Sequence, residues 1–347
     1  MGFYLQLGCS ALGTPLRWEN AANPHIFISG QSGMGKSYFL KNCIAQLPSQ
    51  NVRCIVFDYS GDFIQPAANY FPELEKCRKL DVEKDIAINP FRQLQVSTAR
   101  TERKTDIASR IAEAIIRSYR VRGNMQEVYL RNALKNYLER ETKNPCFSGL
   151  SHMIQSDSEL SKKMASTLIR IQDLSDMIPT TTSEFHWDTT DPGITIVSFD
   201  SLPNASAQAL VTTFLLTDLW SEHISSSERM CPVIVVLDEC QRLQFTEDSI
   251  YCRILREGRK NHFGGWFASQ WISNKTALEA LNQAALRAYF FPGENQIHSL
   301  AKRLCNTGDS ATLKPYKQLI QRLRVGDFIY QDERGRPIKC HVSERGG

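Results

Sequence analysis

The sequence predicts an α/β fold: a mostly parallel central sheet flanked by helices, with an all-α subdomain inserted into it. Three observations carry this. Short, near-continuous apolar runs such as Val233–Leu237 alternate with segments of helical periodicity, the pattern of strands covered on both faces. One such run, IFISG (Ile26–Gly30), leads straight into a glycine-rich loop and then a helical pattern. Across residues 97–189 the strand signal fades and helical stripes replace it.

Taken in order, residues 3–18 read as two short strands around a glycine-containing turn, so residues 1–23 form a β-hairpin extension. After the Ile26–Gly30 strand, Phe39, Leu40, Cys43 and Leu47 recur at helical spacing until Pro48. VRCIVFDYSGDF is an apolar strand closed by Asp58 and a Ser60-Gly61 turn, and DIAINPF (Asp85–Phe91) reads as a further short strand. Three helical stripes follow: Ile107, Ile111, Ile115, Ile116 and Tyr119; Leu130, Leu134, Tyr137 and Leu138; Leu160, Met164, Leu168 and Ile171. Strand–helix alternation then resumes with ITIVSFD, a helix near Ala205–Trp220, VIVVLDE, a helix around Ile250–Lys260, FGGWFASQ, a helix near Ala277–Ala285, and LRAYFF. The organisation expected is a core of residues 24–96 and 190–347 interrupted by the helical insertion at 97–189.

Composition narrows the class. The 347 residues are 42% hydrophobic and 22% charged, ordinary for a globular chain, and no apolar run approaches the roughly 18 residues of a membrane helix. The N-terminus lacks the basic start and long apolar stretch of a secretory signal. Ten cysteines are scattered without a CxxC pair, which predicts reduced thiols, no zinc site and a cytoplasmic protein. Residues 301–347 hold ten Lys/Arg against five Asp/Glu, against a net charge of +4 for the whole chain. That basic segment is compatible with a polyanionic partner, and equally with a solvated surface.

The chemistry concentrates in a few motifs. Gly30-Gln31-Ser32-Gly33-Met34-Gly35-Lys36-Ser37 matches G-x-x-x-x-G-K-[ST] between a strand and a helix. Its glycines let backbone N–H groups converge on phosphate oxygens, and the helix that follows offers its positive end. Lys36 would neutralise the β- and γ-phosphates of ATP, Ser37 would hold Mg²⁺, and Tyr38 extends the nucleotide-binding set. The strand Val233–Leu237 places Asp238 at the carboxyl edge of the sheet, where it can hold Mg²⁺. Glu239 beside it can polarise a water for attack on the γ-phosphate, which favours hydrolysis over simple binding. Gln270, at the end of the next strand, can sense the γ-phosphate or orient that water. Arg253, Arg256 and Lys260 fall at i, i+3 and i+7 on one helix face. An arginine there can stabilise transition-state charge in cis or from a neighbouring subunit, or simply form a solvated basic face. The seven histidines are dispersed in no hydrolase spacing, and His25 reads as structural.

NPHIFISGQSGMGKS resembles the loop region of the FtsK and HerA DNA-pumping ATPases. VFDYSGDF resembles their second strand, and INPF a segment frequent in conjugative relatives. LDECQRL…LREGRKNHFGGWFASQ is similar to their acidic strand, arginine helix and glutamine strand in order, and LRAYFFPGENQIHSLAKRL with LIQRLRVGDFIYQDERGRP to their closing sheet. The resemblance runs from Pro24 to about Pro337. It implies a RecA-like P-loop NTPase core assembling as a ring, commonly a hexamer, around DNA. Arg256 and Arg259 match the arginine-helix motif of that group best, with Arg287 in reserve. The transmembrane helices of anchored members, the long N-terminal barrel of HerA proteins and a winged-helix reader are not evident.

The function expected is therefore an ATP-hydrolysing motor that translocates or remodels DNA, alone or recruited by partner proteins. Two alternatives stay open at this point. One is a secretion-type ATPase of the conjugative kind acting on protein; the other is a nucleotide-gated assembly module.

Overall fold

In the computed structural model, the residues described are 2–19, 23–64, 71–97, 99–123, 125–141, 143–178, 185–187, 191–225, 231–305, 310–331 and 335–343. The strands in chain order are β1 (Tyr4–Ser10), β2 (Pro15–Glu19), β3 (Ile26–Ser29), β4 (Arg53–Asp58), β5 (Arg78–Asp81), β6 (Gln95–Ser97), β7 (Arg100–Thr101), β8 (Gly193–Ser198), β9 (Val233–Leu237), β10 (Phe263–Ser269), β11 (Leu286–Tyr289), β12 (Asp327–Gln331) and β13 (Pro337–Val342). The helices are α1 (Lys36–Ile44), α2 (Pro72–Glu75), α3 (Lys104–Ser118), α4 (Gln126–Arg140), α5 (Phe147–Ser156), α6 (Ser158–Lys163), α7 (Ala165–Met177), α8 (Ala205–Ser225), α9 (Ile250–Glu257), α10 (Lys275–Leu281), α11 (Ile297–Cys305) and α12 (Ser310–Gln321).

Eleven strands form one sheet in the order β2-β1-β13-β12-β11-β3-β10-β9-β4-β8-β5. From β11 to β5 every pairing is parallel, whereas β12, β13, β1 and β2 continue the sheet antiparallel. The N-terminal hairpin thus adds to the sheet edge through β1 and β13. A separate two-stranded ribbon pairs β6 with β7.

Why the central strands read as unbroken apolar runs is visible in their packing. In β9, Val233, Val235 and Leu237 join the core on one face, while Ile234 and Val236 join the core on the other. In β4, Ile55 and Phe57 oppose Cys54 and Val56 in the same way. The period-2 alternation of a strand is present, but both faces are dry. One core takes in α3, α4, α5, α7 and α8, so these helices share their apolar interior with that sheet face. The other holds α1 with the inward residues of β1 and β2. Each large side chain buried this way contributes roughly 1.5–3 kcal/mol.

Two details differ from expectation. Residues 85–91 form no strand: residues 86–89 have no regular structure and Pro90 and Phe91 lie in a turn, where Pro90 has no N–H to give and the Asn89 side chain accepts the N–H of Phe91 at 3.1 Å. The strand of this region is β5, whose Arg78-Lys79-Leu80-Asp81 hides in a charged sequence because it is the sheet edge. The third helical stripe is also split, with α6 ending and α7 beginning at Met164. No helix among the described residues is long and apolar enough to cross a membrane, and no disulfide joins any of the ten cysteines.

Candidate active site

The site is built where three parallel strands end. The N–H of Gly30 bonds the carbonyl of Ser269 on β10 at 3.2 Å, and the N–H of Gln31 bonds that of Phe291 at 2.7 Å. These two bonds launch the loop from β3 between its sheet neighbours. At Gly30 a Cβ would lie 2.5 Å from the Cβ of Phe290, so only glycine lets the chains pass. Gly35, the residue before α1, has φ 103°, a conformation that a side chain would strain. The first N–H groups of α1 have no carbonyl to bond within the helix and carry its positive end.

Lys36 is buried, and its Nζ donates across the loop to the carbonyl of Gln31 at 3.0 Å. Burial pulls its pKa down, opposed by the nearby charges of Asp238, Glu239 and Asp62. Asp238 follows β9 and is itself buried. Its carboxyl is pushed up to about 6, chiefly by burial, against the pull of the Glu239 N–H it accepts at 2.8 Å and of Lys36. Glu239 sits in the left-handed region at φ 49°, ψ 39°, which is costly for a residue with a Cβ. Its carboxylate pairs with Arg242.

Because β10 lies between β3 and β9, Gln270 at its end comes between the glycine loop and the acidic pair. Together these residues line a cleft of about 330 Å³. Ser32, Gly33, Gly35, Lys36, Ser37 and Tyr38 form its loop side, and Asp238, Glu239 and Gln270 its sheet side. Of the other loop residues, Gln31 supplies the carbonyl that holds Lys36, and Met34 accepts the N–H of Gly326 at 3.1 Å. Tyr38 is edge-on to Phe71, with ring centroids 5.2 Å apart.

The arginines fall elsewhere. Neither Arg256, Arg259 nor Arg287 is among the residues lining the cleft. Arg256 donates to the carbonyl of Glu247 and Arg259 is exposed, both beyond the buried face of α9. Arg253 pairs with Glu257 at 3.1 Å and lies over the Trp220 ring at 5.5 Å.

One cleft residue had no role in the sequence reading. Asp58, buried at the end of β4, accepts the N–H groups of Gly61 and Phe63, each at 3.0 Å. This folds the Ser60-Gly61 turn so that Asp62 projects into the cleft, 3.5 Å from the Ser37 hydroxyl. The signal was present in VFDYSGDF, but nothing in an acid four residues past a strand end tells which way it points. Ser37, Asp62 and Asp238 present the hard oxygen donors that Mg²⁺ takes, beside a buried ammonium and a helix N-terminus that suit phosphate.

A glycine loop capping the first helix, an acidic pair two strands away and a polar residue on the strand between define a RecA-like P-loop NTPase fold. The sequence matches the family model described as the central domain of the helicase HerA over residues 8–219. The chain belongs to this family. No curated protein matches it in sequence. Among solved structures it is similar to VirB4 of Thermoanaerobacter pseudethanolicus, at a TM-score of 0.72 and 14% identity, covering 98% of this chain and 96% of that one. It is also similar to the plasmid coupling protein TrwB in complex with ADP and Mg²⁺, at a TM-score of 0.63 and 14% identity, covering 98% and 90%. A sulphate-bound crystal form of TrwB aligns at a TM-score of 0.66 and 15% identity, covering 98% and 90%.

Proposed function

We propose that this chain is the ATP-hydrolysing subunit of a HerA/FtsK-type motor that translocates or remodels DNA as an oligomeric ring, commonly a hexamer, in the cytoplasm. The observation that carries the reading is the convergence of Lys36, Ser37, Asp238, Glu239 and Gln270 on one cleft. TrwB, of the same fold, is seen with ADP and Mg²⁺, which supports the same ligands here.

In this reading the loop N–H groups from Ser32 to Ser37 and the Lys36 ammonium hold the β- and γ-phosphates, Gly30 and Gln31 anchor the loop to the sheet, and Tyr38 borders the nucleotide. Ser37 and Asp238 would hold Mg²⁺, with Asp62 accepting from the Ser37 hydroxyl. When bound, the metal offsets charge that develops on the phosphate oxygens. Glu239 takes a proton from the attacking water as its oxygen bonds the γ-phosphorus, and the bond from that phosphorus to the ADP oxygen breaks. Gln270 orients the water. Arg256 and Arg259, outside their own cleft, are the candidates to reach the γ-phosphate of a neighbouring subunit.

Nucleotide binding and turnover test the chemistry separately. Glu239→Gln should bind ATP with near-normal affinity and fail to turn it over, while Lys36→Ala should lose both. Sedimentation with and without ATP and DNA tests the ring. Turnover that DNA of any form leaves unchanged would favour the protein-directed, secretion-type reading.

A further inference from the structure

Behind Glu239 runs a chain of side chains that the mechanism above does not use. The Glu239 carboxylate pairs with one terminal nitrogen of Arg242. The other terminal nitrogen of Arg242 donates to Oε1 of Gln208 at 2.9 Å. The Gln208 amide in turn donates to the carbonyl of Phe199 at 3.2 Å. The N–H of Phe199 bonds the carbonyl of Asp58 at 3.1 Å, and Asp58 folds the turn that carries Asp62.

The members of this chain belong to different layers. Glu239 and Arg242 follow β9, whereas Gln208 lies in the first turn of α8, the helix packed against α3. Gln208 is 8% exposed, so its amide is a fixed anchor with little access to water. A general base must offer a lone pair to the attacking water. A guanidinium already holding that carboxylate competes for it.

We infer that Arg242 and Gln208 are positioning residues: anchored on α8, they hold the Glu239 carboxylate and restrain it as a general base. Hydrolysis is thereby coupled to the helical layer as well as to the phosphate loop. The inference rests on the reading of Glu239 as the general base.

The test is basal ATP turnover by the full chain without DNA, comparing wild type with Arg242→Gln, Gln208→Met and the double variant. A partly exposed pair of this kind is worth a roughly three- to fivefold effect on rate. Arg242→Gln should raise kcat by that factor with KM for ATP within about twofold, which loss of structure would not do. Gln208→Met should act in the same direction, and the double variant should equal Arg242→Gln because both act on one path. An unchanged or lower kcat overturns the clamp, and so does an additive rise in the double variant. Thermal melting checks each fold; if Arg242→Gln does not fold, Gln208→Met alone decides. Glu239→Gln in the same assay separates the two readings. If it keeps wild-type turnover, the base assignment fails; if it loses turnover while kcat fails to rise in the other variants, only the clamp fails.

Discussion

The hydroxyl of Ser37 lies 3.5 Å from a carboxylate oxygen of Asp62, 25 residues further along the chain. The contact joins the start of α1 to the turn after β4. It places a second acid beside the hydroxyl expected to hold Mg²⁺, the arrangement by which an outer carboxylate orients a metal ligand. Asp62→Asn should therefore weaken Mg²⁺-dependent ATP binding by about 10- to 100-fold, while metal-free nucleotide binding changes little. Titration with nucleotide at graded Mg²⁺ measures both.

Asp238 gives the site a pH dependence with a definite sign. Its carboxyl is pushed up to about 6 by burial, so in the unliganded protein it is protonated below that pH. A metal ligand must be ionised. Mg²⁺–ATP affinity should thus fall about tenfold per unit as pH drops below 6, and Asp238→Asn should flatten that slope while lowering affinity at pH 8. The stability effect runs with it: a raised folded-state pKa contributes stability below the unfolded value, and that contribution is lost as pH rises through 6. Without ligands, Asp238→Asn should therefore melt higher than wild type at pH 8 but not at pH 4.

His25 provides the opposite case. It is 1% exposed just before β3, and its Nδ1 accepts the N–H of Gly265 on β10 at 3.0 Å. Burial lowers its pKa to about 4. The unfolded chain then takes up a proton near 6.5 that the folded chain refuses, so stability is present above 6.5 and lost as pH falls toward 4. At pH 5 the loss is about 2 kcal/mol. Denaturant midpoints at pH 7 and pH 5 should differ more for wild type than for His25→Gln.

Most of the framework was legible because its causes are local. A glycine loop must follow a strand and precede a helix to cradle phosphate, and β3 and α1 do so. Strands buried on both faces must be apolar throughout, so β4, β9 and β10 stood out. What was hidden depends on contacts distant in sequence. Edge strand β5 is charged because, among the described strands, it pairs with β8 alone and half of its residues are exposed. Asp62 points into the cleft only because Asp58 captures the N–H groups around it. Arg242 looked like any residue of a polar loop until Gln208, 34 positions earlier, came within 2.9 Å of it. Arg256 and Arg259 followed the motif of a family, and their proposed role requires a neighbouring subunit that one chain does not contain.

Gly258 offers a check on the packing beneath α9. A Cβ there would meet the carbonyl oxygen of Phe263 at 2.3 Å and the His25 ring at 3.1 Å. Backbone cannot yield as a flexible side chain does, so Gly258→Ala should cost about 1–3 kcal/mol by urea denaturation.

The proposed function is a DNA-stimulated ATPase centred on Lys36 and Glu239. Steady-state ATP turnover, with single-stranded, duplex and tailed DNA added in turn, tests it most directly. At least one of these DNA forms should stimulate the rate, and Lys36→Ala and Glu239→Gln should each abolish it. A wild-type rate indifferent to every form of DNA, or turnover surviving in Lys36→Ala, would contradict the proposed function.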